Sequence, residues 1–335
     1  MRRRAPIIRA PIDFAQPGPV SQLHRFLFDG LPVRGILVRL TDSWQEVLAR
    51  RADAAYAPPV QRVLGEMAAA GVLMHANIKF NGALVLQVFG DGPVQLAVAE
   101  IASDLAFRVT AKVSGDVAAD AGLEAMLNVH GRGRCAITLD RADKLPGQRA
   151  YQGVVPLHGD AGEPLQAIAP VLEHYMLQSE QLDTRLVLAA DDRVAAGLLL
   201  QRLPTPGPAA DETRIGRDEG FNRIAHLAAT LRRDELLSLD ADTVLRRLFH
   251  EEKLLRFPAL VGDDAPRFAC SCSRLKVGAM LQGLGREEVD DILREQGRVE
   301  VGCEFCGVKY RFDPVDVGEL FTPAVRQAPG SRAIN

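Results

Sequence analysis

Four of the five cysteines in this chain crowd into one short stretch near its end. They run Cys270-Ser271-Cys272, then thirty residues, then Cys303-Glu304-Phe305-Cys306. Each close pair can supply two ligands from one turn, and four thiolates can enclose a zinc ion tetrahedrally at about 2.3 Å. Thiolate softness favours zinc or iron–sulfur over magnesium or calcium. None of the seven histidines lies inside the segment, so a mixed site would need a distant contribution. A saturated four-thiolate site leaves no open position for substrate, which argues against zinc hydrolysis. The plainest role is a staple for a small domain.

A staple can also be a switch. A segment of this size gains only about 3–5 kcal/mol from its own core. Structural zinc contributes on the order of 10–16 kcal/mol of apparent folding free energy. The metal therefore decides whether the segment folds. Thiolates are nucleophiles that peroxide or hypochlorite oxidise, and oxidation would release the metal together with the fold. A Cys-X-Cys disulfide closes a very small, strained ring that is readily reduced again, which suits a reversible sensor.

The rest of the sequence predicts an α+β protein. Strand patterns cover Ile36 to Leu40, Leu84 to Phe89, Phe107 to Val113, Cys135 to Leu139, Gln152 to Leu157, Leu186 to Ala189 and Ala195 to Leu200. Helical patterns cover about Val60 to His75 and Pro164 to Gln178. Cys135, in a strand pattern beside Ala136 and Ile137, reads as a small buried apolar residue. His24 and His75 carry no assigned chemistry. The prolines from Pro204 to Pro208 break the chain. Beyond them, Phe221, Ile224, Leu227, Ala228 and Leu231 recur at helical spacing, as do Val244, Leu245, Leu248 and Phe249 after Asp240 and Asp242. Helices this short cannot bury their own apolar faces and must lie on another domain or subunit. Around the cysteines, Leu275 to Gln282 and Arg286 to Gln296 read as helices, with Gly297 as a stop. Val299, Val301, Val308, Tyr310 and Phe312 suggest a hairpin with Cys303 and Cys306 at its turn.

The expected organisation has five parts. They are an N-terminal extension (1–20), an α+β core domain with mixed sheet and helix (21–203), a linker with amphipathic helices (204–261), a small zinc-binding redox-switch domain (262–320) and a tail (321–335).

Composition excludes several function classes. With 40 Lys and Arg against 43 Asp and Glu, no basic excess drives binding to nucleic acid or anionic lipid. A zinc-ribbon nucleic-acid-binding regulator is the main alternative, but Gly262 to Arg311 carries nine acids against eight bases, and four thiolates around a divalent ion add further negative charge. A thiol–disulfide oxidoreductase would place an exposed Cys-X-X-Cys at a helix start, not between strand-like runs. No apolar run approaches the roughly 20 residues that span a bilayer. Arg2-Arg3-Arg4 leads into no apolar run or cleavage site, so no signal peptide is read and a cytoplasmic, thiol-reducing location is expected. No G-x-x-x-x-G-K-[ST] phosphate loop is present, so ATP use is not expected.

Taken together, the residues resemble the redox-regulated thirty-three-kilodalton heat-shock protein family of bacterial holdase chaperones. The likeness rests on Cys270-Ser271-Cys272-Ser273-Arg274, Glu287-Glu288-Val289-Asp290, and Cys303-Glu304-Phe305-Cys306-Gly307 with Tyr310 and Phe312. Upstream, Gln22 to Leu27, Val33-Arg34-Gly35, Gly90-Asp91-Gly92-Pro93, Tyr151 to Val155, Ser179-Glu180-Gln181 and His250-Glu251-Glu252 also match. Asp183 departs from the pattern, standing where the family leads one to expect proline. The resemblance implies a non-enzymatic stress chaperone that holds one Zn2+ per chain on Cys270, Cys272, Cys303 and Cys306 when reduced. It implies that oxidation pairs Cys270 with Cys272 and Cys303 with Cys306, ejects the metal and unfolds the switch. The linker then loosens, and the protein dimerises and binds unfolded client proteins without ATP. The linker helices are expected to be covered or braced by the zinc module until then.

Overall fold

The helix Pro58–Asn77 organises the molecule, because sixteen of its twenty residues are buried. A helix apolar on every side must lie between two apolar layers, and here those layers are two sheets. The computed structural model describes residues 20–51, 54–144, 147–204, 216 and 218–322. The expected extension before Val20, most of the proline-rich break (205–215) and the tail from residue 323 lie outside the described residues.

In chain order, the body comprises β1 (Gln22–Phe28), β2 (Val33–Leu40), α1 (Asp42–Ala49), α2 (Pro58–Asn77), β3 (Gly82–Phe89), β4 (Val94–Ile101) and β5 (Ala106–Val113). There follow α3 (Leu123–Leu127), β6 (Arg134–Arg141), β7 (Tyr151–Pro156), α4 (Ile168–Glu180), β8 (Thr184–Ala190) and β9 (Ala195–Arg202). The helical segment supplies α5 (Glu219–Ala229), α6 (Arg233–Ser238) and α7 (Ala241–Phe249), followed by β10 (Leu254–Arg256) and β11 (Arg267–Phe268). One sheet runs β10-β1-β2-β9-β8 and the other β11-β5-β4-β3-β6-β7. All pairings are antiparallel except β11 with β5. The fold class is α+β, as expected.

Helix α2 lies close to both sheets. A Cβ on Gly65 would come within 2.5 Å of the Ala190 side chain and 3.1 Å of Trp44, so glycine is what allows this approach. The pattern from Pro164 to Gln178 becomes helical only at Ile168. Pro164 instead forms an isolated bridge with His158, and the Leu165 amide donates to the Leu157 carbonyl at 3.1 Å, so these two residues pair with the segment after β7 and stay out of the helix. Strands β1 and β4 escaped the sequence reading. β1 carries His24 and Arg25 between its apolar residues, and β4 mixes alternation with a short run of alanines and valines.

Helices α5 to α7 cover the outer face of the first sheet. Phe221, Ile224, Leu236, Val244, Leu248 and Phe249 pack on Phe26, Phe28, Val33, Leu37, Leu198 and Leu200. The rings of Phe28 and Phe249 meet edge to face, 5.0 Å between centroids. With α2 beneath and these helices above, β9 is buried at every position, which explains its nearly unbroken apolar sequence. Asp218 and Asp240 cap α5 and α7, accepting from the amides of Phe221 (2.8 Å) and Thr243 (2.9 Å).

Polar hooks tie these helices down. Buried Arg39 donates to the carbonyls of Leu236 (2.6 Å) and Leu237 (3.0 Å) at the end of α6. Arg233 reaches Glu66 at 3.4 Å and also donates to the Ala190 carbonyl. Asp183, the departure from the family pattern, forms a buried ion pair with Arg202 at 2.8 Å and accepts from the Gly216 amide at 2.9 Å. Aspartate there anchors the chain at Gly216, in the first part of the linker.

The C-terminal module contains α8 (Arg274–Leu284), α9 (Arg286–Gln296), β12 (Val299–Gly302), β13 (Lys309–Phe312) and α10 (Pro314–Leu320). Gly297, in the left-handed region at φ +73°, ends α9. Its separate core has only five buried residues, Leu281, Val289, Val299, Phe312 and Val317.

Glu66 offers a test of the hooks. Burial, opposed by Arg233 and Arg62, pushes its carboxyl up to about 7. The folded protein therefore holds this proton more tightly than the unfolded chain. Its contribution to stability is therefore fully present below about pH 4.5, falls as pH rises towards 7, and is lost above it. Chemical-denaturation curves for Glu66→Gln should lose a decline on the order of 3 kcal/mol across that window. An unchanged pH profile would show that the fold holds the Glu66 proton no more tightly than the unfolded chain does.

Candidate metal centre

The centre is assembled from two pieces of chain that meet beside the second sheet. After α7, a strap of chain crosses the body. β10 pairs with β1, the Leu260 and Leu23 backbones exchange hydrogen bonds at 2.9 and 3.1 Å, and β11 pairs with β5. Cys270 and Cys272 follow β11 directly, ahead of Ser273. The Ser273 hydroxyl caps α8 by accepting from the Lys276 amide at 3.2 Å. The second pair lies in the connection of the β12–β13 hairpin. The Cys303 amide donates to Val308 at 2.9 Å and the Gly307 amide to Cys303 at 2.8 Å, so the turn closes on itself. Gly307 adopts φ +72°, and a Cβ there would lie 2.9 Å from the Arg50 carbonyl oxygen. Glycine thus serves both the turn and its contact with the body.

The four sulfurs lie within 4.8 Å of one another. Cys270 Sγ is 3.6 Å from Cys303 Sγ, and Cys272 Sγ is 3.4 Å from Cys306 Sγ. A tetrahedron with 2.3 Å metal–sulfur bonds has edges of about 3.8 Å, close to these separations. All five cysteines are free thiols. The donor set contains no carboxylate or imidazole, so its chemistry and spacing fit a thiophilic ion such as zinc.

The surroundings bias the four thiols differently. Burial pushes the Cys306 thiol up, and its three sulfur neighbours add to this, to about 12. Burial also raises the Cys272 thiol, although the Tyr310 hydroxyl donates to its sulfur at 3.1 Å. Burial acts the same way on Cys270, but hydrogen bonds from the Cys272 amide, the neighbouring thiols and Arg108 outweigh it and hold Cys270 down to about 7. Arg108 lies 3.8 Å from that sulfur, is ion-paired to Glu100 at 2.6 Å, and stacks over the Phe305 ring at 4.2 Å. Thr110 donates to the Glu304 carbonyl at 2.7 Å. Two side chains of β5 therefore dock the hairpin onto the body. Sequence reasoning did not find them, since Arg108 is separated from Cys270 by 162 residues and sits in an ordinary strand pattern.

Cys135 takes no part. It is buried in the second sheet, where burial raises its thiol to about 12. His24 is buried on β1 beside Gln22 and Arg256, and His75 pairs with the Gly82 carbonyl at 3.0 Å. One expectation needs correction. Among the described residues, the apolar cluster under α5 to α7 contains none from 262 onward, so the described part of the cysteine module does not cover those helices. The four cysteines pack instead at the edge of the core around α2. What joins the two regions is the strap. Glu252 pairs with Arg223 of α5, and Arg256 pairs with Asp242 of α7 at 2.6 Å.

A two-sheet α+β body carrying a four-thiol module is the architecture of a known class of chaperone. The family model described as Hsp33 protein matches residues 21–313, and the chain belongs to that family. It is 47% identical to the 33 kDa chaperonin of Chromobacterium violaceum, over 90% of this chain and 94% of that one. It is 43% identical to the 33 kDa chaperonin of Methylobacillus flagellatus, over 91% and 96%. A solved structure of the 33 kDa chaperonin from Thermotoga maritima shares the fold, with a TM-score of 0.69 at 22% identity over 89% of this chain and 97% of that one. No helix among the described residues is long and apolar enough to cross a membrane.

After reconstitution with zinc, Cys306→Ser should retain well under half of the metal that the unsubstituted protein binds. Limited proteolysis should then cut within 262–322 while the body stays intact. Full zinc retention with unchanged protection would show that the centre does not depend on all four sulfurs.

Proposed function

We propose that this protein is a redox-regulated, ATP-independent holdase of unfolded client proteins, working in the cytoplasm. Its reduced form is inactive, with one zinc ion on Cys270, Cys272, Cys303 and Cys306. The observation that carries this reading is the convergence of four free thiols within 4.8 Å, in a module with only five buried apolar residues of its own. Bound there, zinc would supply most of the module's folding free energy.

Oxidation removes the ligands. A thiolate attacks peroxide to give a sulfenic acid, and a second thiolate displaces water from it to form a disulfide, two electrons passing to each peroxide. In the folded centre the shortest approaches are Cys270 to Cys303 and Cys272 to Cys306. Once the module loosens, the sequence-local pairs Cys270–Cys272 and Cys303–Cys306 close the smallest loops, so they are the products assigned here.

The strap then transmits the loss. Its holds on the body are short, three residue pairs at β10 and two at β11. Without a folded module at its far end, the strap frays and α7 loses its C-terminal tether. Release of α5 to α7 uncovers their own apolar faces as well as Phe26, Phe28, Leu37, Leu198 and Leu200 on the sheet. A surface of that kind binds unfolding clients or a second copy of itself, which accounts for the proposed oxidised dimer.

Aggregation of a heat-unfolded test protein should be suppressed by the peroxide-treated, zinc-free protein and not by the reduced, zinc-loaded one. A chromogenic chelator would follow metal release in parallel. Equal activity in both states would refute the switch. In hydrogen exchange, residues 219–249 should lose protection on oxidation while α2 keeps it, and equal protection of both would break the proposed coupling. Peptide mapping of the oxidised protein should recover the Cys270–Cys272 and Cys303–Cys306 links. Cross-links between the pairs would show oxidation within the folded module.

A further inference from the structure

A single side chain of the body touches both halves of the cysteine centre. Arg108 Nη1 lies 3.8 Å from Cys270 Sγ, and its guanidinium stands 4.2 Å over the ring of Phe305, between Cys303 and Cys306. The register of β4 with β5 puts Glu100 directly opposite Arg108, and Nη2 meets that carboxylate at 2.6 Å. β11 runs parallel to β5, and the Ala269 amide donates to the Phe107 carbonyl at 3.0 Å, so the strand edge itself carries Cys270 to Arg108. Thr110, two residues on and therefore on the same side of the strand, donates to the Glu304 carbonyl at 2.7 Å.

The two ends of the guanidinium thus have different partners. Glu100 fixes one end, and the other faces a sulfur. The pair is shielded, with the Arg108 side chain 17% exposed and Glu100 30%, so its charges are screened less than on an open surface. Arg108 Nε is buried without a partner, a cost that strong acceptors for the remaining donors must offset. A neutral thiol or disulfide sulfur accepts hydrogen bonds only weakly. A thiolate accepts strongly, because hydrogen bonds between ionised partners are roughly twice as strong as neutral ones. Four thiolates around one divalent ion keep a net negative charge, and Nη1 points at it.

We propose, on the reading of a zinc centre opened by oxidation, that Arg108 is a positioning residue that responds to the charge on the sulfurs. While Cys270 is a metal-bound thiolate, Arg108 strengthens the centre's hold on its metal and keeps the module docked on β5. Each disulfide forms from two thiolates and one peroxide, with two hydroxide ions leaving, so the sulfurs lose the negative charge that Nη1 faced. Arg108 then releases Cys270. The strap's neighbouring hold, two residue pairs at β11, loses its support at the same moment. Stacking on Phe305 does not depend on the state of the sulfurs, so the ring docks the hairpin while the charge decides when it is held.

The test is the zinc affinity of the full-length reduced protein, measured without oxygen against a chromogenic chelator. Arg108→Met, which keeps the stem and removes the charge, should weaken zinc binding about 10–100-fold. Arg108→Lys, which keeps the charge without the planar fork, should lie closer to the unsubstituted protein. Phe305→Leu, which removes the ring and keeps the charge, should leave the affinity nearly unchanged. At saturating zinc, hydrogen exchange across residues 267–272 should be about tenfold faster in Arg108→Met while α2 stays protected. After peroxide treatment that difference should vanish. Should Arg108→Met fail to unfold cooperatively, Arg108→Gln carries the same expectations. Unchanged zinc affinity in the neutral variant overturns the proposal, and so does a loss that Arg108→Lys shares in full or Phe305→Leu reproduces. A difference in exchange that persists after oxidation overturns it as well. An unsubstituted protein that binds no zinc would refute the metal centre and this role of Arg108 together. Failure in the aggregation assay alone would refute the holdase and leave the zinc measurements standing.

Discussion

Four sulfur atoms within 4.8 Å of one another bring together the two ends of the last module of this molecule, the turn after β11 and the β12–β13 hairpin. The module around them has little core of its own, and its helix α8 leaves Leu275, Met280 and Leu284 largely exposed. Its attachment to the body runs through the cysteine turns themselves, where Arg108 and Thr110 of β5 hold the hairpin and β11 leads into the first pair. A fold so dependent on one cluster of ligands is cooperative with metal binding. That is what a small module needs if a chemical change at sulfur is to become a change of shape.

The body is built on the opposite plan. Helix α2 is buried on all sides between two sheets, and the central strand β9 of the first sheet is buried at every position. Its outer cover is a set of short helices held by apolar contact and by hooks from Arg39, Arg233 and Asp183. Helices of that length have little stability alone. The core and its cover are thus separate layers, and the strap touches both, through β1 and β5 of the sheets and through Arg223 and Asp242 of the cover.

Much of the fold was legible because its signals are local. Burial of alternate or continuous side chains marked β2, β3, β5, β6, β8 and β9, and a three-to-four-residue repeat marked α2, α5 and α7. Arg286 to Gln296 ended at Gly297 as its sequence suggests, since glycine alone enters the left-handed region without cost. Strand β1 was missed because its charged and polar residues obscure the alternation. The start of α4 was misplaced because Leu165 pairs with Leu157 instead of entering the helix. Helix α6, six residues long, carries too few turns to register a period.

The sequence by itself determined the donor set and its chemistry, because ligand type and spacing are properties of the chain: two close cysteine pairs, no histidine, no excess of basic charge. Tertiary structure alone decided where those donors lie. The module sits against β5 and the core around α2, not over the linker helices, and the link between the two is a strap bound at two sheet edges. It also decided that Arg108 meets Cys270 and that Phe305 lies against the same guanidinium. Those meetings join residues scores of positions apart, and no local periodicity encodes a contact that exists only once the sheets have closed around their helix.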